Sequence, residues 1–237
     1  YYAAMLSGDQ FLQKAFIDKL DFHSYVAKQM FNLSCEVNEV KKYYPNERQY
    51  AKAITFGIMY QAGPAKIAET VNKDAKPGEE ISTPQSKQFI QKYFNEARSL
   101  KKFIDASNQQ IENHAFIYSF FGRKRRLPEA KSPNRGVAQH AIRSGVNFLV
   151  QSVASDINIL GVIDLVKWIE RKGYTEDIKP FTVVHDSIVS EVREDLIDEY
   201  IENARNCIQT DRGLSIPGCP IKVDFEVGPS WGELTEL

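Results

Sequence analysis

The chain has 237 residues, 43% of them hydrophobic, with 30 Lys and Arg against 31 Asp and Glu and a formal net charge of −1. That length can bury a substantial core in one or two domains, and balanced charge with ample apolar content excludes a disordered polyelectrolyte. Near-neutral charge gives no support to nucleic-acid binding through bulk electrostatics, and the lack of an unbroken 18-residue apolar run argues against a membrane-spanning helix.

Residues 2–31 and 47–72 read as two helices, separated by a polar loop that holds Asn32, Asn38 and Pro45. Residues 73–84 read as a charged loop with Pro77-Gly78 as a turn signal. One or two amphipathic helices are expected over 84–114, with Phe89, Tyr93, Leu100 and Phe103 on the apolar side. Residues 115–120 are β-prone and are stopped by Gly122. A long helix is expected from Asn134 to about Lys172, closed by Gly173. Residues 181–192 alternate as a strand does, a helix follows over 194–209, and a last strand falls at 221–227. Helices come first and strands cluster late, so the expected class is α/β (α+β). A helical subdomain over 1–118 would precede a mixed one over 119–237, with the long helix and a small antiparallel sheet.

Cys35, Cys207 and Cys219 are widely spaced and form no C-x-x-C pair. They fit neither a disulfide framework nor a zinc site, and a reducing cytosol is the simplest setting. No signal peptide is recognisable, and Tyr1 opens in mid-pattern, so a piece of a longer protein is expected.

The most informative stretch is Arg48-Gln-Tyr-Ala-Lys52-Ala-Ile-Thr55-Phe56-Gly57-Ile-Met-Tyr60. Arg48, Lys52, Phe56 and Tyr60 are spaced by four and share one helix face, a stripe about 18 Å long. Two cations at one end and two aromatic rings at the other suit a polyphosphate and a flat ring, as a nucleoside triphosphate requires. The competing reading is a core face with cations snorkelling at its edge. Gly57 speaks against an ordinary helix, since mid-helix glycine costs about 1 kcal/mol relative to alanine. Close approach of a base would explain its missing side chain.

Asp186 lies among the β-formers Val183, Val184, Ile188 and Val189, where an unpaired carboxylate is costly to bury. It reads as a hard-cation ligand facing a cleft, or as an ordinary hairpin-turn aspartate. Arg143, Asn147 and Gln151 again repeat every four residues and could reach minor-groove acceptors, or form an exposed polar face. Residues 123–126 are four consecutive cations suited to backbone phosphates. The acidic run over 191–202 reads as a solvated face.

In this order the motifs resemble those of the family A DNA polymerases, the group that contains bacterial DNA polymerase I and many phage replicases. Arg48-x3-Lys52-x3-Phe56-Gly57-x2-Tyr60 resembles the fingers helix, motif B. Asp21-Phe22-His23 resembles the Asp-x-His that precedes it, and Gly122-Arg123-x3-Leu127-Pro128 a Gly-Arg-x3-Leu-Pro segment. Arg143-x3-Asn147-x3-Gln151 resembles the DNA-facing helix, and Val184-His185-Asp186-Ser187 resembles motif C, usually Val-His-Asp-Glu.

The resemblance implies template-directed DNA synthesis, with deoxynucleotides added to a primer 3′ end by two-metal phosphoryl transfer. Arg48, Lys52 and His23 would hold the triphosphate, and Lys52 would protonate the leaving pyrophosphate. Phe56 would lie near the sugar and Tyr60 near the templating base. A Phe at position 56, in place of Tyr, implies discrimination against dideoxynucleotides. Arg123, Arg143, Asn147, Gln151 and His185 would contact DNA, and Asp186 would bind Mg²⁺. Ser187 in place of Glu implies altered metal geometry.

The motif A aspartate would lie just before Tyr1, and Leu6-Ser7-Gly8-Asp9 resembles the tail of that motif, with Asp9 not the metal ligand. The expected partners are primer–template DNA, deoxynucleoside triphosphates and an upstream segment carrying motif A, with no membrane, in the cytoplasm of a bacterium or an infected host. Two alternatives are one chain of a split polymerase completed by a partner polypeptide, and a non-catalytic nucleotide- or DNA-binding module.

Overall fold

A computed structural model describes residues 1–73, 75, 78, 80–184 and 187–237. The chain falls into two compact units, Tyr1–Val150 and Gln151–Leu237. The division expected at residue 118 lies inside the first unit, at the end of a strand.

The helix expected over 2–31 is three helices: α1 (Tyr2–Ser7), α2 (Gln10–Ile17) and α3 (Phe22–Phe31). Local chemistry makes the breaks. Gly8 takes φ 61°, Lys19 takes φ 53°, and Asp9 and Asp21 are N-caps. The Asp9 carboxylate accepts the Leu12 N–H at 3.2 Å, and Asp21 accepts the Ser24 N–H at 2.8 Å. Asp9 also accepts the Leu100 N–H at 3.0 Å. One buried carboxylate thus serves the starts of two helices, reaching a backbone N–H that is 91 residues away in sequence.

The polar loop expected before residue 47 contains α4 (Val37–Tyr43), started by a capping box of Glu36 and Glu39. The helix expected over 47–72 is two, α5 (Pro45–Met59) and α6 (Pro64–Asn72). Gln61 adopts φ 50°, its N–H bonds Ile58 O at 2.9 Å, and Ala62 N–H bonds Gly57 O at 2.7 Å, which closes α5. Proline opens both α5 and α6, where its missing N–H has no intrahelical partner to lose. The pair α7 (Thr83–Glu96) and α8 (Arg98–His114) follows as expected, with Ser82 and Gln85 forming a capping box.

Gly57 faces α6. A Cβ built there would lie 2.5 Å from Ile67 Cγ1 and 2.7 Å from its Cδ1. The close approach expected of a base is therefore made by a buried side chain of the same unit. Ile54, Ile67, Tyr93, Leu100 and Ile111 are among the fully buried side chains of this unit.

A short hairpin, β1 (Phe116–Tyr118) with β2 (Lys124–Arg126), pairs Phe116 with Arg126 and Tyr118 with Lys124. After a 3-10 turn (Pro128–Lys131), α9 (Arg135–Lys172) begins where Asn134 Oδ1 accepts the Gly136 N–H at 2.9 Å. By length and composition α9 is apolar enough to cross a membrane, contrary to expectation, because its apolar residues recur without an unbroken run. Ala141, Ile142, Val146, Val153, Ile157 and Leu165 on it are buried in protein, as in a core helix.

In the second unit, β3 (Ile178–Val184) pairs antiparallel with β4 (Ser187–Val192), so the strand expected over 181–192 is two. The register shifts between Pro180 and Thr182, beside a proline that has no N–H to donate. A 3-10 turn (Glu194–Leu196) leads into α10 (Ile197–Gln209). Leu165, Trp168, Ile169, Ile178, Leu196 and Ala204 form the core. The acidic run is a paired, solvated face: Glu199 pairs with Lys172 at 3.0 Å, and Arg193 bridges Asp195 and Asp177. The strand expected over 221–227 shrinks to β5 (Glu226–Val227), paired with β6 (Thr235–Glu236). None of the three cysteines is in a disulfide. Helices dominate and the sheets are small and antiparallel, which is the expected fold class.

Gly57→Ala tests the α5–α6 contact. The swap normally favours a helix by about 1 kcal/mol, but here the added methyl must displace Ile67, so a net loss of about 1–3 kcal/mol is expected in chemical denaturation. Unchanged or higher stability would show that the contact is loose.

Candidate nucleotide and DNA site

Four of the sequence-selected residues come together on α5. Arg48 is partly buried near its start, Lys52 is exposed, and Phe56 and Tyr60 are 49% and 54% exposed. The core-face reading fails for these two rings. The buried face of α5 consists instead of Ala51, Ile54, Thr55 and Ile58. Tyr60 sits one residue past the helix as its C-cap, with its N–H still bonded to Phe56 O at 3.0 Å.

His23 joins this face from α3. Its ring centroid lies 5.8 Å from that of Phe56, tilted by 44°. Burial pushes the imidazole below its ordinary value of 6.5, with Asp21 opposing and Arg48 and Lys52 adding to the depression. His23 Nδ1 is buried and lacks a hydrogen-bond partner. A neutral ring at neutral pH keeps one donor and one acceptor.

Asp21 is the residue that sequence reasoning left without a role. Arg48 Nε donates to its Oδ1 at 2.9 Å, and Arg48 Nη2 donates to its Oδ2 at 2.9 Å. Nε also reaches Ser24 Oγ at 3.2 Å. This fork holds the Asp21 carboxyl far below the usual carboxylate range, against the opposing effect of burial. The signal was present in the sequence, since Asp21 stands in the same Asp-x-His as His23.

A second cluster forms around Phe148, a residue that spacing alone did not mark. The guanidinium carbons of Arg123 and Arg125 lie 5.8 Å and 5.3 Å from the centroid of its ring. Arg125 Nη2 donates to Ser144 Oγ at 2.9 Å. Lys124 sits 3.8 Å over the Phe116 ring. Arg143 and Asn147, on the same stretch of α9 as Phe148, are partly buried. This brings the basic hairpin strand beside two of the three residues selected on α9. The third, Gln151, is exposed and opens the second unit.

His185 and Asp186 lie outside the described residues. Ser187, which follows them, opens β4 opposite Val184 and is exposed. Among the described residues no group of three or more His, Cys, Asp or Glu side chains is placed to hold a metal ion.

The chain is similar to known proteins over nearly its whole length. The family model for DNA polymerase family A matches residues 2–233, and the chain belongs to that family. The DNA polymerase of Escherichia phage T5 is 49% identical over 241 residues, covering 95% of this chain and 28% of that protein. DNA polymerase I of Pseudomonas aeruginosa is 28% identical over 230 residues, covering 97% of this chain and 23% of that protein. The solved POL domain of Pol1 from M. smegmatis, in complex with DNA primer-template and dNTP, superposes with a TM-score of 0.79 at 27% identity. That match covers 93% of this chain and 36% of the solved one. The chain thus spans about a quarter of the length of these curated relatives.

The His23 environment is testable by NMR titration of the full-length protein. A midpoint below 6.5 is expected, because burial and two cations disfavour the imidazolium. An unfolded chain would take up the proton first, so this site penalises folding as pH falls below about 6.5. A midpoint at or above 6.5 would contradict the described burial.

Proposed function

We propose that this chain forms the nucleotide-gripping and DNA-facing part of a template-directed DNA polymerase that adds deoxynucleotides to a primer 3′ end. The observation that carries the reading is the α5 face, with cations at one end and two exposed rings at the other, on a chain of family A. Within it, residues 1–118 act as fingers and 119–237 as the C-terminal part of the palm.

The α5 cations and His23 would bind the triphosphate of an incoming deoxynucleotide. Arg48 offers a planar fork and Lys52 a compact point charge, and both suit phosphate oxygens. Lys52 is also the general acid for the departing pyrophosphate, since an ammonium beside that anion can release its proton as charge develops. His23 adds a hydrogen-bond donor, Phe56 packs near the sugar, and Tyr60 lies near the templating base. Phosphoryl transfer depends chiefly on alignment and charge neutralisation, which these residues can provide without covalent chemistry.

On the DNA side, Arg123 would hold backbone phosphate, a sequence-independent contact. Arg143, Asn147 and Gln151 would read the minor groove, whose degenerate pattern suits a check of base-pair shape. His185 would meet the primer terminus. The solved relative that holds primer-template and dNTP supports both partners. Magnesium would supply Lewis-acid neutralisation of the phosphate charge, with Asp186 as the ligand from this chain. A second bridging carboxylate would come from an upstream segment or a partner chain, in the cytoplasm of a bacterium or an infected host.

Lys52→Ala in the full-length protein tests the central role. Single-turnover incorporation is expected to slow by about 100-fold or more, the scale of general-acid catalysis, while primer–template affinity changes by less than about threefold. Equal losses in rate and DNA affinity would contradict the assignment.

A further inference from the structure

We infer that Asp21 is a positioning residue for nucleotide binding, holding one edge of the Arg48 guanidinium so that the other edge is presented to a phosphate. The inference rests on the triphosphate role proposed above for Arg48. Arginine carries five N–H donors in a rigid plane. The fork to Asp21 uses Nε and one hydrogen of Nη2, at 2.9 Å each. Both hydrogens of Nη1 and the second hydrogen of Nη2 remain, all on the edge that the carboxylate does not face.

Asp21 can do this because it is itself fixed. It is the N-cap of α3, and its Oδ1 accepts the Ser24 N–H at 2.8 Å while also accepting from Arg48 Nε. Ser24 Oγ adds a third contact to Nε at 3.2 Å. A long cationic side chain on an exposed helix face samples many rotamers, and ordering it opposes binding. Here two helices order it before a phosphate arrives. The same link sets the distance between α3 and α5, and so the position of His23, which packs on Phe56 at 5.8 Å two residues beyond Asp21.

A competing effect has the opposite sign. The Asp21 carboxylate is an anion that could sequester Arg48 from phosphate, so that its loss would tighten nucleotide binding. The edge-on geometry decides between the two, because the fork occupies a single side of the guanidinium.

The test is a pre-steady-state titration of deoxynucleoside triphosphate on the full-length protein bound to primer–template, reading Kd and maximal rate separately. Asp21→Ser keeps an N-cap of equal quality and removes the fork. It is expected to raise the triphosphate Kd by about tenfold, the scale of a charge-assisted hydrogen bond, with maximal rate within about twofold. DNA affinity and Tm should stay unchanged. In an Arg48→Ala background the same substitution should add nothing, since the two residues act as one unit. If Asp21→Ser does not fold, Asp21→Asn keeps a capping oxygen, loses the charge and should shift Kd in the same direction. An unchanged or lower Kd, or a full additive effect in the Arg48→Ala background, would overturn the positioning role. An Arg48→Ala variant with unaltered triphosphate Kd would instead remove the reading on which it rests.

Discussion

The candidate site depends on one ion pair. The fork between Asp21 and Arg48 joins the N-terminus of α3 to the first turns of α5, which carry the proposed nucleotide face. Without it Arg48 would be a loose cation on a helix surface, and an exposed pair of that kind contributes little to stability. With it, a cap, a fork and a histidine–phenylalanine contact fix two helices in register. The pair orients groups more than it stabilises the fold.

The stability of the first unit has another source. Buried Asp9 closes the starts of α2 and α8 through the Leu12 and Leu100 N–H groups, and Ile67 fills the space that Gly57 leaves open. Ala51, Ile54, Thr55 and Ile58 are buried on the back of α5, while Phe56 and Tyr60 on its front remain exposed. A face that must bind a flat ring has to leave apolar rings exposed, and the cost is met by packing behind them.

Much of this was legible in the sequence, and what was hidden has physical reasons. The four-residue spacing placed Arg48, Lys52, Phe56 and Tyr60 on one face, and the long periodic run of α9 was read to within a residue at its start. The breaks in the N-terminal helices were missed, because Asp9 and Asp21 act through cap geometry and Lys19 and Gln61 through positive φ, neither of which alters hydrophobic periodicity. At Gly57 the sequence shows that a side chain is missing and says nothing about which neighbour, here Ile67, takes its place. Phe148 carried no spacing signal, since its role comes from a hairpin that folds back onto α9. Asp21 was visible as part of a motif, yet its partner lies 27 residues away, and only the fold brings the two together.

The most direct measurement is to map where a deoxynucleoside triphosphate with a photoreactive base labels the full-length protein on primer–template DNA, using mass spectrometry of the cross-linked peptides. The account predicts labelling within the peptide that contains Phe56 and Tyr60, suppressed by excess ordinary deoxynucleotide. Labelling confined to peptides outside α3 and α5, and equally suppressed by competitor, would mean that the nucleotide binds elsewhere and that the exposed rings of α5 serve another purpose.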